Sequence, residues 1–187
     1  MIAQRRSISN PLLDVATDAL VCNEATLEGS IKVGARCVIH PKATIIAKDG
    51  PIVIGEGNLI EEQTLIINKN RPGDPAENTP LIIGNHNVFE VGSEFQGKSI
   101  GNHNIVESKA KVGTCTTLSN GCVIGAACDV NIDEVLPENT VICGDKYLRR
   151  INADKPQPQT QQIDFLKKIL PNYHHLTTNK NKKTSTS

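Results

Sequence analysis

The sequence predicts an all-β protein, a parallel β-helix of about seven triangular coils, followed by one C-terminal α-helix. Three observations predict it. An aliphatic or aromatic residue returns every six positions from Val15 to Ile142. A glycine often follows it directly, and a small side chain often stands four places after it. Aromatic residues are 3% of the 187 residues and Trp is absent, so the core is built from Val, Ile and Leu.

A return of six fits neither an amphipathic helix nor a lone strand, whose periods are about 3.6 and 2. The register runs Val15, Val21, Leu27, Val33, Ile39, Ile45, skips "AKDGP", and resumes at Ile54, Ile60, Ile66. A Pro-rich excursion over residues 68–80 interrupts it. It returns at Ile83, Phe89, Phe95, slips by one to Ile100, and continues Val106, Val112, Leu118, Ile124, Val130, Leu136, Ile142. Each unit is a short strand plus a tight turn, and three units close one coil. Taken by threes, the register defines three faces, headed by Val15, Val21 and Leu27. The stack is on the order of 30 Å long at about 4.8 Å per coil. The aliphatic points inward. The small residue, for example Cys37, Ala43, Thr64, Ser93, Ala110 or Cys122, faces inward near a corner. Glycines such as Gly34, Gly55, Gly84 and Gly101 are expected to relieve backbone strain at the turn. One coil cannot bury its own inner face, so stability comes from stacking.

Residues 1–14 form an N-terminal arm, 15–145 the repeat domain with the loop 68–80, 146–176 a linker and helix, and 177–187 a basic tail expected to be disordered. The helix is expected from about Gln159. Ile163, Leu166, Ile169 and Leu170 make one apolar face with Phe165 at its edge, Asp164, Lys167 and Lys168 take the other side, and Pro171 stops it. It either folds back over the prism or docks another protein. The first reading is preferred, because an apolar face needs cover.

Net charge is zero, which gives no global pull toward nucleic acid or an anionic membrane. The balance is uneven, however. Residues 1–145 hold eleven Lys/Arg and eighteen Asp/Glu, and residues 146–187 hold nine and two. The N-terminus lacks a signal-peptide h-region, no run is long enough for a membrane span, and the six cysteines form no C-x-x-C pair. Unpaired thiols in a reducing cytosol are the simplest expectation.

Candidate chemistry is sparse. His86 and His103 sit in the twin strings "GNHNVFE" and "GNHNIVE", one coil apart, and stack at one corner. A catalytic zinc needs three protein ligands, and no third histidine is in register. His40 in "VIHPKATI" reads as a turn residue, and His174 and His175 lie beyond the helix. Cys37, Cys122 and Cys128 read as packing residues. No catalytic, metal or cofactor site is therefore expected. Glu61, Glu90 and Glu107 follow the inward residue of the second face in successive coils and would stack about 5 Å apart, an unfavourable like-charge column. A solvated face and a ridge for a basic partner are equally open. With Leu166, Ile169 and Leu170, these glutamates are the candidate partner-binding residues.

The repeat resembles the hexapeptide-repeat superfamily of left-handed parallel β-helices, and the left hand comes from that resemblance. Within it, carbonic-anhydrase-like members carry a "VGH" step with a nearby second histidine. Here "EVGSEFQGKSIG" places Ser93 and Gln96 at those positions. The strings "GPIVIGEGNLIEE" and "KPQPQTQQIDFLKKILPNYHHL" are similar to the dynactin subunit 6 family, and "IGNHNVFEVGS" and "ENTVICGDKYLRR" fit it too. That resemblance implies a non-catalytic structural subunit of dynactin in its pointed-end complex, serving dynein-dependent transport on microtubules. It implies dynactin subunit 5 as heterodimer partner, with dynactin subunit 4 and the pointed-end actin-related protein nearby and dynein adaptors engaged indirectly. It also implies a cytoplasmic, cytoskeleton-associated location, with centrosome and kinetochore among its sites. The alternative is a carbonic-anhydrase-like or acyltransferase homotrimer of the same fold.

Overall fold

Every inward position of the six-residue register pairs with the same position one coil on. Val15 pairs with Val33, Val33 with Ile54, Ile54 with Ile83, and so through Ile100 and Leu118 to Leu136. The computed structural model describes residues 12–70 and 78–177. Residues 1–11 of the expected arm, 71–77 of the loop (with Pro72 and Pro75) and 178–187 of the tail lie outside them.

The chain winds through three parallel sheets in turn, one strand per sheet per coil. The first has seven strands, from Leu13–Val15 to Val135–Leu136. The second begins at Leu20–Val21 and has eight, and the third runs over six, from Thr26–Glu28 to Asp129–Val130. Strands are two to four residues long because the turns take the rest of each six-residue step. The register residues are buried, except for Leu27, which is half-buried at one end. Phe89 and Phe95 fill the mid-stack, with ring centroids 5.8 Å apart in an edge-to-face contact.

The glycines play a different part from the one expected. Gly34, Gly55, Gly84 and Gly101 do not have positive φ. They are required by closeness, since a Cβ on Gly34 would meet the carbonyl of Gly55, and one on Gly84 would meet that of Gly101. The left-handed residues lie two places further on. At the corner after the first sheet they are Arg36, Gly57, His86, His103, Gly121 and Asn139, with φ between 56° and 71°.

The C-terminal region departs from a plain linker and helix. The chain turns at Gly144 and Tyr147, and Leu148–Ile151 pairs antiparallel with Thr140–Cys143 as the eighth strand of the second sheet. The helix Thr160–Ile169 then lies along the outside of that sheet. Ile163 and Leu170 are buried against the outward side chains Leu20, Val38, Leu59 and Val88, and Leu166 packs beside them. The helix therefore covers this chain. Asp164 and Lys167 do not face solvent freely: they pair with Arg36 at 2.7 Å and with Asp18. Beyond the helix, Asn23 N–H donates to the His175 carbonyl and Thr177 N–H to that of Val21, which ties the segment to the first coil.

Ile124 is fully buried in the second sheet and Lys109 is exposed. Ile124→Ala is expected to cost about 2–5 kcal/mol through the cavity it leaves. Lys109→Ala should stay within about 0.5 kcal/mol. Equal shifts in denaturant unfolding would contradict the register.

Candidate functional site

The corner between the first and second sheets carries two columns of hydrogen-bonded asparagines. Its small inward slot is filled by asparagine in three consecutive coils, Asn58, Asn87 and Asn104, all fully buried. The Asn58 Oδ1 accepts the Asn87 N–H at 2.9 Å, Asn87 accepts that of Asn104 at 2.9 Å, and Asn104 accepts that of Cys122 at 2.7 Å. Their amide nitrogens mostly donate to the next coil, Asn58 to the Gly84 carbonyl at 2.8 Å and Asn87 to that of Gly101 at 2.9 Å. A second column, Asn85, Asn102 and Asn120, runs the other way. Each Oδ1 accepts an N–H from the coil before it, those of Glu56, Asn85 and Asn102 at 2.7–2.8 Å. The sequence reading missed both ladders because it counted only smaller side chains for the slot. The strings "EGN", "NHN" and "NHN" at that offset were the available signal.

His86 and His103 stand between the two ladders in left-handed conformation and stack as expected, with centroids 5.1 Å apart and planes tilted by 33°. With Asn120, Glu138 and Lys155 they line a polar groove of about 520 Å³. Burial, then the nearby Lys155 and His86, hold the His103 imidazole below its ordinary pKa, and its Nδ1 has no hydrogen-bond partner among the described residues. The two imidazoles share the groove with the carboxylates of Glu138 and Asp154. Among the described residues no cluster of three His, Cys, Asp or Glu could hold an ion.

The other histidines are elsewhere. His40 is buried, with Nδ1 2.8 Å from Glu62 of the next coil. His174 lies 3.1 Å from Glu24 at the first coils. Cys37, Cys122 and Cys128 occupy buried inward slots, and burial raises all three thiols. Cys22, sealed under the C-terminal segment, is raised to about 11 by burial and then by Glu24 and Glu62. These are poor nucleophiles.

Glu61, Glu90 and Glu107 do form a column, but its carboxylates are not a free repelling ridge. Each caps a backbone amide one coil on. Glu61 accepts the Val91 N–H at 3.2 Å, Glu90 that of Ser108 at 2.9 Å, and Glu107 that of Ala126 at 2.8 Å. Glu90 also takes the Ser108 hydroxyl at 2.9 Å. Burial, with Glu90 and Glu62 nearby, lifts the Glu61 carboxyl above its usual value despite the Val91 amide and His40. Of the apolar candidates, Leu170 is buried and Leu166 and Ile169 are half-buried against or beside this chain. The side chain that the helix leaves in solvent is Phe165, and Tyr173 beyond it is also exposed.

No family model matches the chain. Among curated proteins it is 55% identical over 167 residues to dynactin subunit 6 of Danio rerio, covering 87% of this chain and 86% of that one. It is 51% identical over 168 residues to dynactin subunit 6 of Nematostella vectensis, covering 88% and 91%. It is 37% identical over 163 residues to that of Dictyostelium discoideum, covering 86% and 75%. Among solved structures, a hexapeptide transferase family protein from Anaplasma phagocytophilum aligns with a TM-score of 0.62 at 17% identity, over 86% of this chain and 88% of that one. That likeness carries the fold alone, a left-handed parallel β-helix.

Two outcomes follow. Changing Glu61, Glu90 and Glu107 together to Lys should lower stability, by about 1 kcal/mol for each lost cap, read by denaturant unfolding. Unchanged stability would mean the caps contribute nothing. For His103, the folded pKa lies below the unfolded value of about 6.5. The unfolded chain therefore takes up the proton first, and stability present above about pH 6.5 is lost as pH falls below it. His103→Asn should make that acid loss shallower. Identical pH profiles for wild type and variant would contradict the burial of this ring.

Proposed function

The chain belongs to the dynactin subunit 6 family, and from that premise we propose that it serves as a non-catalytic structural subunit in the pointed-end complex of dynactin. Its part is to support dynein-dependent transport and the engagement of cargo adaptors. The observation that carries this reading is the 55% identity to a named dynactin subunit 6, running over most of both chains. The site chemistry agrees with it. The two asparagine ladders and the glutamate caps bind backbone of adjacent coils. They are occupied in holding the rod together.

The proposed heterodimer partner is dynactin subunit 5, with subunit 4 and the pointed-end actin-related protein as neighbours and the cytoskeleton-associated cytoplasm as the setting. Among the described residues no helix is long and apolar enough to cross a membrane. Phe165, Ile169 and Tyr173 on the outer side of the C-terminal segment, and the flank of the capped column Glu61, Glu90 and Glu107, are the proposed contact surfaces.

Co-expression with dynactin subunit 5, followed by light scattering on the eluted peak, tests the reading. A one-to-one heterodimer is expected. A homotrimer of this chain, containing one zinc per chain that is lost on His86→Ala or His103→Ala, would overturn the non-catalytic assignment in favour of a carbonic-anhydrase-like protein.

A further inference from the structure

The three sheets do not end together at the C-terminal end of the prism, and the difference singles out one edge. The second sheet ends there in the antiparallel strand Leu148–Ile151, itself exposed and paired on one side, so a parallel segment finds no parallel strand to extend. The first sheet ends at Val135–Leu136 and the third at Asp129–Val130, each paired on one side only. In the coil before the end of the first sheet, Thr117 and Ser119 donate their N–H groups onward, to Glu134 and Leu136. The equivalent positions in the last coil are Val135 and Pro137. Proline has no N–H, so that edge is blunted.

The third sheet keeps both groups. Lys111 and Gly113 donate onward to the carbonyls of Cys128 and Val130. Their equivalents in the last coil are Asp129 and Asn131, and among the described residues no coil lies beyond to receive them. Leu148, eighteen residues after Val130, would complete this sheet, but it lies exposed in the antiparallel strand instead. The vacated position adjoins a largely apolar cavity of about 360 Å³, lined by Val130, Ile132, Ile142, Tyr147 and Arg149. The outward column leading to it alternates in charge: Glu94 pairs with Lys111 at 2.9 Å, and Lys111 is followed by Asp129.

We propose that the open edge of strand Asp129–Val130 accepts an extended segment of a partner polypeptide in which a basic residue is followed directly by an aliphatic one. The segment's carbonyls take the Asp129 and Asn131 amides, as in strand addition to other open sheet edges. The basic side chain lies outward beside Asp129 and continues the charge alternation. The aliphatic faces inward after Val130 and fills the cavity. The neighbouring sheets offer no equivalent parallel edge, since one ends in an antiparallel strand and the other lacks the amide at Pro137. This assignment rests on the end geometry alone, so its failure would leave the family and the proposed function untouched.

The probe is a fluorescein-labelled peptide, ESKAKVGT, which copies this chain's own Glu107–Thr114 and contains the Lys-Val step that pairs with Asp129–Val130 from the other side. Titrated with the purified full chain, it should bind saturably. Affinity should fall by at least about tenfold on Asp129→Lys, on Tyr147→Ala, or when the peptide valine becomes aspartate. Asp129 and Tyr147 are exposed, and thermal melts check that both variants fold. Amide exchange should slow at Asp129 and Asn131 and stay unchanged at Val135. The proposal is overturned by absence of saturable binding up to about 1 mM, by binding indifferent to all three changes, or by protection at Val135. It is also overturned in favour of a second copy if the chain alone dimerises in sedimentation and Asp129→Lys abolishes the dimer.

Discussion

The structure depends on the return of the chain to the same place after each coil. Once three short strands and three turns close a triangle, like positions in successive coils lie one inter-strand spacing apart, about 4.8 Å. Every inward residue then packs on its own counterpart, and strand amides within the stack find a carbonyl directly above or below. The constraint falls hardest on the corners, where the backbone must reverse within a few residues and still keep its hydrogen bonds. That is why left-handed residues recur at fixed corner positions, among them Arg36, His86, His103 and Lys109. It is also why glycines at Gly34 and Gly84 sit where the next coil's carbonyl leaves no space for a Cβ.

The corners are also where side chains replace missing backbone pairing. The buried Asn58, Asn87 and Asn104 ladder and the outer Asn85, Asn102 and Asn120 ladder run in opposite directions along one corner. Together they satisfy amides on both sides of each turn. Glu61, Glu90 and Glu107 do the same at the next corner, from outside. A carboxylate fixed to a backbone N–H is tolerated beside its neighbour because each charge has its own donor. What looks like an acidic surface is thus part of the fastening between coils.

Much of this was legible in the residues. The six-step register gave the three faces and the pairing of the parallel strands, because burial of one aliphatic per step admits no other phase. The helix face Ile163, Leu166 and Leu170 was legible for the same reason, as was the stacking of His86 on His103. That the helix covers this chain is the preferred reading of the sequence, but which sheet it covers was not legible, since any apolar surface satisfies an apolar stripe. The strand Leu148–Ile151 was hidden because Leu148 continues the period, while Gly144 and Tyr147 turn the backbone away. The asparagine ladders and the glutamate caps were missed because a period counts hydrophobicity and size. It does not register a polar side chain whose partner is backbone 17 to 30 residues away. Of the candidate partner-binding residues, Glu90 accepts the Ser108 amide and Leu170 is buried against the second sheet.

The central claim is that the ladders bind successive coils into one cooperative unit. Native-state hydrogen exchange at the amides of Asn87, Asn104 and Cys122 tests it most directly, because each donates to an asparagine Oδ1 of the neighbouring coil. These turn amides are predicted to exchange only by global opening, with the same protection as the strand amides of Ile105 and Glu107. Exchange at these three sites by local opening, while the strand amides remain protected, would contradict the account.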